Sequence, residues 1–303
     1  MTATVGLLLM LARFASLILL IQHISTMLQA PNIAAAAGAE LLDVVRAEVP
    51  DEVRGGDDQR QAGQEVPDPL METEGYPVRV RDTGYIQYID PEYVLTLTRE
   101  RNLVIRLLRK PGHFVRDGAV VALVWPAGRV DEQVEGQIHH AFQIGNQRTP
   151  TQDVEYAINQ LVEMAVRAMS PAINDPFTAM TCLDYVGNGL ALFIRQGEKS
   201  RHYYDRDGQL RLVLEPVTFD ELLSAAFDML RHASCDNASV LLHMLRVITT
   251  ISQEAKTHEA RQKLLHHVCL IQAESQAGAL IEQDRQSIDL SVEALQTKLT
   301  GSP

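Results

Sequence analysis

Cysteine and basic residues are scarce in this sequence of 303 residues. The three cysteines, Cys182, Cys235 and Cys269, are far apart and odd in number, which excludes a disulfide framework and fits a reducing compartment. Lysine and arginine number 27 against 39 acidic residues, so the net charge of −12 disfavours nucleic acid as a partner. Aromatic residues make up only 5%, but 46% hydrophobic and 22% charged residues are typical of a folded protein and exclude disordered and collagen-like classes.

The common catalytic and cofactor motifs are also missing. The sequence contains no phosphate-binding G-x-x-x-x-G-K-[ST] loop, no G-x-S-x-G elbow and no C-x-x-C pair. The adjacent pairs His139-His140 and His266-His267 do not have the spacing of a metal site, since neighbouring helical residues point about 100° apart. We interpret them as exposed histidines on helices. We therefore predict no cofactor, no metal and no catalytic residue.

One long apolar run is present at the N-terminus. Residues Val5 to Ile21 carry a single charge, Arg13, and the run can just cross a hydrocarbon core of ~30 Å at 1.5 Å per residue, especially if it extends to Leu28. We predict a transmembrane segment over residues 1–30, and so a lipid bilayer as partner. Two alternatives are a cleaved signal peptide and a buried soluble helix. Because a membrane arginine usually faces protein, Arg13 predicts self-association or other membrane helices as partners.

The next two regions differ in composition. Residues 31–75 are predicted to form a helix, Ile33 to Val49, and then a mobile acidic linker. Residues 76–130 are predicted to form a β-rich module, either a small barrel or a sandwich, with one helix opened by Asp90-Pro91. Within it, the Pro111–Gly118 turn is similar to a turn of biotinyl- and lipoyl-type barrel domains. The predicted strands are Pro77–Arg81, Gly84–Asp90, Leu103–Leu108 and Ala119–Val124.

Residues 131–303 have a helical period, which predicts a mainly helical domain. Capping signals at Thr149–Gln152, Asn174–Pro176 and Thr218–Glu221 each predict a helix start. Between Gly197 and Leu214 the letters DRDG predict a hairpin between short strands. The predicted later helices lie near 219–232, 237–254, 257–284 and 289–299. The predicted fold class is therefore α+β, mainly α.

The densest polar cluster runs from Arg148 to Ala179 and contains two predicted helix N-termini, which offer free backbone N–H groups. One interpretation is structural: Asn174 or Asp175 caps a helix, and Arg148 pairs with Asp153. The other is a ligand or substrate site. The candidate ligand-binding residues are Arg148, Asp153, Ser170, Asn174, Asp175 and Thr178.

Several of these segments resemble a bacterial family of predicted membrane proteins, domain of unknown function 2254. The resemblance rests on Gly84–Asp90, Pro111–Gly118 and above all Arg148–Ala179. It implies an integral inner-membrane protein with several N-terminal helices and a large soluble C-terminal region in the cytoplasm. It implies no activity. Since this sequence has one apolar segment, we expect it to lack the first membrane helices of the family.

Two functions are consistent with these observations. The first is a membrane-anchored, non-enzymatic protein, oligomeric and acting as a scaffold or as a component of a transport assembly. The alternative is a small-molecule sensor or enzyme with a polar site in the Arg148–Ala179 segment.

Overall fold

The computed structural model describes residues 30–47, 68–198 and 200–301, with a few helical positions between residues 10 and 20. The described part is mainly helical and contains two sheets, which confirms an α+β fold that is mainly α. Most of the predicted transmembrane segment lies outside the described residues. The positions described there, among them Phe14, Leu17 and Ile18, are helical and exposed.

The described helices and strands alternate in the first half of the chain, and helices dominate the second. The helices are α1 Ala30–Ala47, α2 Asp68–Glu74, α3 Pro91–Arg101, α4 Glu132–His140, α5 Val154–Ala168, α6 Pro176–Gln196, α7 Phe219–Ala233, α8 Ala238–Ser252, α9 His258–Ala277 and α10 Glu282–Thr300. The strands are β1 Tyr76–Arg79, β2 Gly84–Ile89, β3 Val104–Leu107, β4 Phe114–Val115, β5 Val120–Trp125, β6 Phe142–Gly145, β7 His202–Tyr204 and β8 Leu210–Val213.

The β-rich module consists of two small sheets that share one hydrophobic core with α3 and α4. One sheet has the order β1-β5-β3-β8-β7 and the other has the order β4-β2-β6. The first sheet has β1 and β7 at its edges, so the structure does not support a closed barrel. The sequence prediction missed β6, and it did not show that β8 pairs in parallel with β3, with Ile105 opposite Leu212.

The end of the predicted acidic linker is helical instead of irregular. Residues Asp68–Glu74 form α2, while residues 50–67 of the linker lie outside the described part. Met71 is fully buried against Val104, Leu210 and Val213. This apolar contact is between residues distant in sequence, so the local composition of the linker does not reveal it.

The helical bundle is built around α6, which packs on α1, α5 and α8. Two glycines of α6 permit close approach: a Cβ on Gly189 would lie 2.5 Å from Leu41 Cδ2 of α1, and one on Gly187 would lie 2.5 Å from Val247 of α8. Among the described residues, α6 alone is long and apolar enough to cross a membrane, but half of its most apolar window is buried. We treat α6 as the core helix of the bundle.

Helix starts follow the local capping signals, with one exception. The prediction is confirmed for Asp90, Asp175 and Thr218, each of which caps the helix that follows it, and for the DRDG hairpin between β7 and β8. The predicted capping box at Thr149–Gln152 is wrong, because α5 begins at Val154 and Asp153 is its N-cap. The histidine interpretation also needs one correction: His267 is buried, not exposed.

Candidate functional site

Arg148 and Asp153 form a bidentate ion pair at the start of α5. Arg148 Nε donates to Asp153 Oδ2 at 2.7 Å and Nη2 donates to Oδ1 at 2.8 Å. Oδ1 also accepts the backbone N–H of Tyr156 at 2.9 Å, so the same carboxylate caps the helix. The side chain of Asp153 is only 4% exposed. Both carboxylate oxygens therefore already have donors.

The surroundings keep the guanidinium of Arg148 charged. Burial alone would lower the pKa of Arg148, but the hydrogen bond and charge of Asp153, with Glu155 at 3.6 Å, raise the pKa overall. The guanidinium also lies 5.3 Å from the ring centre of Tyr156, within cation–π distance. Arg148 therefore meets the Asp153 carboxylate as a charged donor, which strengthens their hydrogen bonds.

A turn of the β-rich module covers this ion pair. Gly112, between β3 and β4, has φ +89°, and a Cβ there would lie 2.1 Å from Asp153 Oδ2 and 2.9 Å from Arg148 Nη2. The Gly112 N–H donates to the Ile86 carbonyl at 2.8 Å, which fixes the turn on β2. Only glycine satisfies both the positive φ and the close approach.

Two further polar contacts join the module to the bundle near the same place. The Gln152 side chain accepts from Ile89 N at 2.9 Å and donates to Ile89 O at 3.0 Å. Lys110 Nζ donates to both carboxylate oxygens of Glu221 at 2.9 Å, at the start of α7. We call Lys110, Gly112, Arg148, Gln152, Asp153 and Glu221 the junction. Sequence reasoning singled out only Arg148 and Asp153 as candidates, since contacts between distant segments leave no local pattern.

The other four candidates surround the turn between α5 and α6. Asp175 caps α6 by accepting the Thr178 N–H at 3.2 Å and the Thr178 hydroxyl at 2.6 Å. These hydrogen bonds lower the pKa of Asp175. The Ser170 carbonyl accepts the Asn174 N–H at 2.9 Å, and Asn174 has φ +49°. The polar groups of the turn therefore mostly serve to close it.

The six candidate residues form two separate groups. Arg148 and Asp153 lie at the start of α5, whereas Ser170, Asn174, Asp175 and Thr178 lie beyond its end. The 15 residues of α5 separate the groups by ~22 Å at 1.5 Å per residue. A single pocket lined by all six is therefore not formed, and ligand binding by either group stays a prediction.

Two concave surfaces border these groups. A groove of about 1190 Å³ runs between α1 and α5, from Thr149 and Tyr156 at one end to Ile33 and Arg167 at the other. A smaller cavity of about 120 Å³ lies beside the junction, lined by Lys110, Gln152 and residues 214–217 among others.

Two titratable side chains outside these surfaces have pKa values shifted by burial. Burial, with Lys110 and Arg109 nearby, lowers the pKa of His113, and burial raises the pKa of the Cys182 thiol to about 11. Across the part of the chain that the structure describes, no three His, Cys, Asp or Glu side chains are grouped to hold a metal ion.

Comparison with known proteins gives a family but no activity. The uncharacterized proteins Mb1321c of Mycobacterium bovis and Rv1290c of Mycobacterium tuberculosis are each 23% identical over 240 residues, which cover 78% of this chain and 46% of the relative. The chain thus spans about half the length of the curated relatives it matches. No solved structure matches it. Residues 1–250 match a family described as predicted membrane protein (DUF2254), and the chain therefore belongs to that family of membrane proteins of unknown function.

Proposed function

We propose that this chain is a membrane-anchored, non-enzymatic scaffold, or a component of a transport assembly, whose junction holds the β-rich module on the helical bundle. The observation that carries this proposal is that the hydrogen bonds of the Asp153 carboxylate are all made within the protein. Its two oxygens accept three hydrogen bonds from Arg148 and Tyr156, and Gly112 covers them. A carboxylate in this state is a structural contact and has no free oxygen positioned for general base catalysis.

The anchor in this proposal is the N-terminal apolar segment. Its described apolar positions, among them Phe14, Leu17 and Ile18, are helical and exposed, as a lipid-facing helix requires. We place the anchor in the bacterial inner membrane with the folded part in the cytoplasm, as the family resemblance implies. Arg13 supports self-association or pairing with other membrane helices, since such an arginine avoids lipid by facing protein.

Deletion of residues 1–29 tests the anchor. Because α1 begins at Ala30, this deletion leaves the described bundle intact. We expect the full chain to stay with membranes after alkaline carbonate washing and the shortened chain to move to the soluble fraction. The circular dichroism spectrum of the shortened chain should show that the helices from residue 30 onward are still folded. A full chain with Arg13→Leu serves as the control that keeps the anchor. Membrane recovery of the shortened chain equal to that of the full chain would contradict the proposal.

A small-molecule sensor or enzyme is the second candidate, and the groove between α1 and α5 favours it. The groove borders both the Thr149–Thr151 segment and Arg167, so a ligand there contacts the segment that carries the six candidates. The test is a screen of metabolites for a rise in melting temperature, repeated with Thr151→Ala, which alters the lining of the groove, and with Asp175→Ala, which alters the α5–α6 turn. No shift with any compound, or equal shifts in the parent chain and in both variants, would count against a ligand site in this segment.

A further inference from the structure

Helix α1 shows which end of the bundle lies nearest the anchor. A Cβ on Gly38 would lie 2.4 Å from Tyr185 Cδ1, and one on Gly189 would lie 2.5 Å from Leu41. The contacts advance together along both helices, so α1 and α6 run side by side in the same direction. Two turns before Gly38 and Tyr185, α1 begins at Ala30, level with Phe177 at the start of α6.

Two more inter-helix connections lie at this same end. His243 of α8 contacts Asp184 of α6 at 2.7 Å, with α8 parallel to α6, so α8 also begins at this end. The connection before α8 contacts the turn between α9 and α10, because Asp236 Oδ1 accepts the Ala279 N–H at 2.6 Å. We call this end of the bundle, with residues 170–177, 234–237 and 278–282, the α1 end.

The α1 end exposes large apolar side chains. Ile173 is 54% exposed, Phe177 76% and Ile281 65%, all in or beside the connecting turns. Turns of a protein surrounded by water normally carry polar residues, so large apolar side chains exposed in two separate turns at the same end of the bundle favour a partner that prefers them.

The opposite end of the bundle, about 30 Å away along α6, differs in composition. It carries Glu198, Glu254, Lys256, Glu259 and Lys263. Among the described residues of 196–219 and 252–263, no large hydrophobic side chain is exposed. The connecting turns of the α1 end therefore expose large apolar side chains and those of the opposite end do not, while Met229 and Leu290 are exposed on the faces of α7 and α10.

The length of chain between the anchor and α1 limits where the bundle can lie. Leu20, the last described position of the apolar segment, is ten residues before Ala30. Ten residues span at most about 35 Å when fully extended. Because α1 begins at the α1 end, this end of the bundle is the one joined most directly to the anchor.

We propose that the α1 end is a second membrane contact, in which Ile173, Phe177 and Ile281 enter the boundary between headgroups and acyl chains. This inference rests on the proposed anchor, and its partner is the lipid surface itself. Asp236 and Glu282 are exposed at the same end. The contact is therefore apolar and does not depend on anionic lipid.

Tryptophan fluorescence tests this contact, because the chain contains one tryptophan, Trp125. In a Trp125→Phe background, Phe177→Trp reports on the α1 end and Phe114→Trp is the matched control. Phe114 is another exposed phenylalanine, 59% exposed against 76% for Phe177, on β4 beside the junction. Both full-length proteins are reconstituted into phosphatidylcholine vesicles with and without bromine on the acyl chains. If Trp125→Phe disturbs folding, the same substitutions are compared with Trp125 retained, as differences from the parent chain.

We expect bromine to quench the tryptophan at position 177 at least about twice as strongly as that at position 114, since interfacial side chains reach acyl-chain depth. Vesicle flotation in the same samples reports on the anchor separately. Equal weak quenching at both positions in floated vesicles overturns the second contact and leaves the anchor standing. A blue-shifted but unquenched signal at position 177 also overturns it, in favour of a second copy covering this end. Loss of flotation refutes the anchor and this inference together.

Discussion

The two ends of the α5 segment contain the same local feature in two different environments. Asp153 and Asp175 are both helix N-caps, with φ and ψ of −115° and 85° at Asp153 and −112° and 84° at Asp175. Each accepts the N–H of the residue three positions on, Tyr156 or Thr178. By local structure the two aspartates are interchangeable.

Their tertiary environments separate them. Asp153 is buried, pairs with Arg148 and lies under Gly112, so it joins the β-rich module to the bundle. Asp175 receives its second hydrogen bond from its own helix, through Thr178, beside the exposed turn. The comparison teaches that a capping motif indicates where a helix begins. Burial and contacts with distant residues determine how much the capping residue contributes to the stability of the fold.

The largest expected effect is the loss of the Asp153 carboxylate. Asp153→Ala removes the cap and leaves Arg148 half-buried without its partner, which costs about 3–5 kcal/mol for a broken buried pair. Asp175→Ala, the matched control, removes a cap alone and costs about 1 kcal/mol. Urea unfolding of both full-length proteins in the same detergent measures the difference. Equal losses of unfolding free energy in the two variants would show that the ion pair with Arg148 adds no stability beyond that of the helix cap.

Substitution of Gly112, which lies over the Arg148–Asp153 ion pair, should give the next largest loss of stability. Gly112→Ala places a Cβ 2.1 Å from Asp153 Oδ2 at a positive φ, and the strain and overpacking together cost about 2–4 kcal/mol. Gly118→Ala is a close control, because Gly118 also has a positive φ of +79° but a Cβ there meets nothing within 4 Å. Thermal unfolding should therefore show a much smaller loss for Gly118→Ala. Similar losses would mean that backbone strain alone, and not contact with the ion pair, requires glycine at position 112.

The smallest expected loss of stability comes from substitution of Lys110, and it should depend on pH. Burial raises the pKa of Glu221, but the hydrogen bonds from Lys110 and Thr218 lower it overall below its ordinary value of 4.5. A lowered pKa contributes stability that is present above pH 4.5 and is lost as the pH falls through the folded-state pKa. Lys110→Met should remove about 0.5–1 kcal/mol at neutral pH, and the difference from the parent should vanish in acid.

Urea unfolding between pH 7 and pH 3 measures the Lys110 effect. Arg167→Met is the control, since its ion pair with Glu163 lies on the open surface, with both side chains about 70% exposed. The control should change stability little at any pH. A Lys110→Met difference that stays constant down to pH 3 would show that the lysine acts by packing instead of charge.

Local signals predicted much of the fold correctly. Asp90-Pro91, Asp175-Pro176 and the Thr218 capping box each act within one helical turn, so the sequence alone shows where α3, α6 and α7 begin. The DRDG hairpin is equally local, since Asp205 and Gly208 close the turn with their own backbone. The N-cap at Asp153 was missed because an alternative capping pattern four residues earlier matched as well.

The remaining features depend on residues far apart in sequence. Helix α2 exists because Met71 is buried against β3 and β8, and β8 adds to β3 across more than 100 residues. The pairing of Arg148 with Asp153 was one of the two interpretations open from sequence. The position of Gly112 above that pair, and the Lys110–Glu221 contact, join segments with no shared local pattern. Ligand binding by the six candidate residues, which the structure divides into two separate groups, stays a prediction.

A double-mutant cycle on Arg148 and Asp153 tests most directly whether the ion pair at the junction stabilises the fold. The variants are Arg148→Met, Asp153→Asn, which keeps the helix cap, and the two together, each measured by urea unfolding of the full chain. We expect a coupling free energy of about 2–3 kcal/mol, with the double variant scarcely less stable than either single one, as for residues in direct buried contact. Additive losses, with coupling below about 0.5 kcal/mol, would contradict the account.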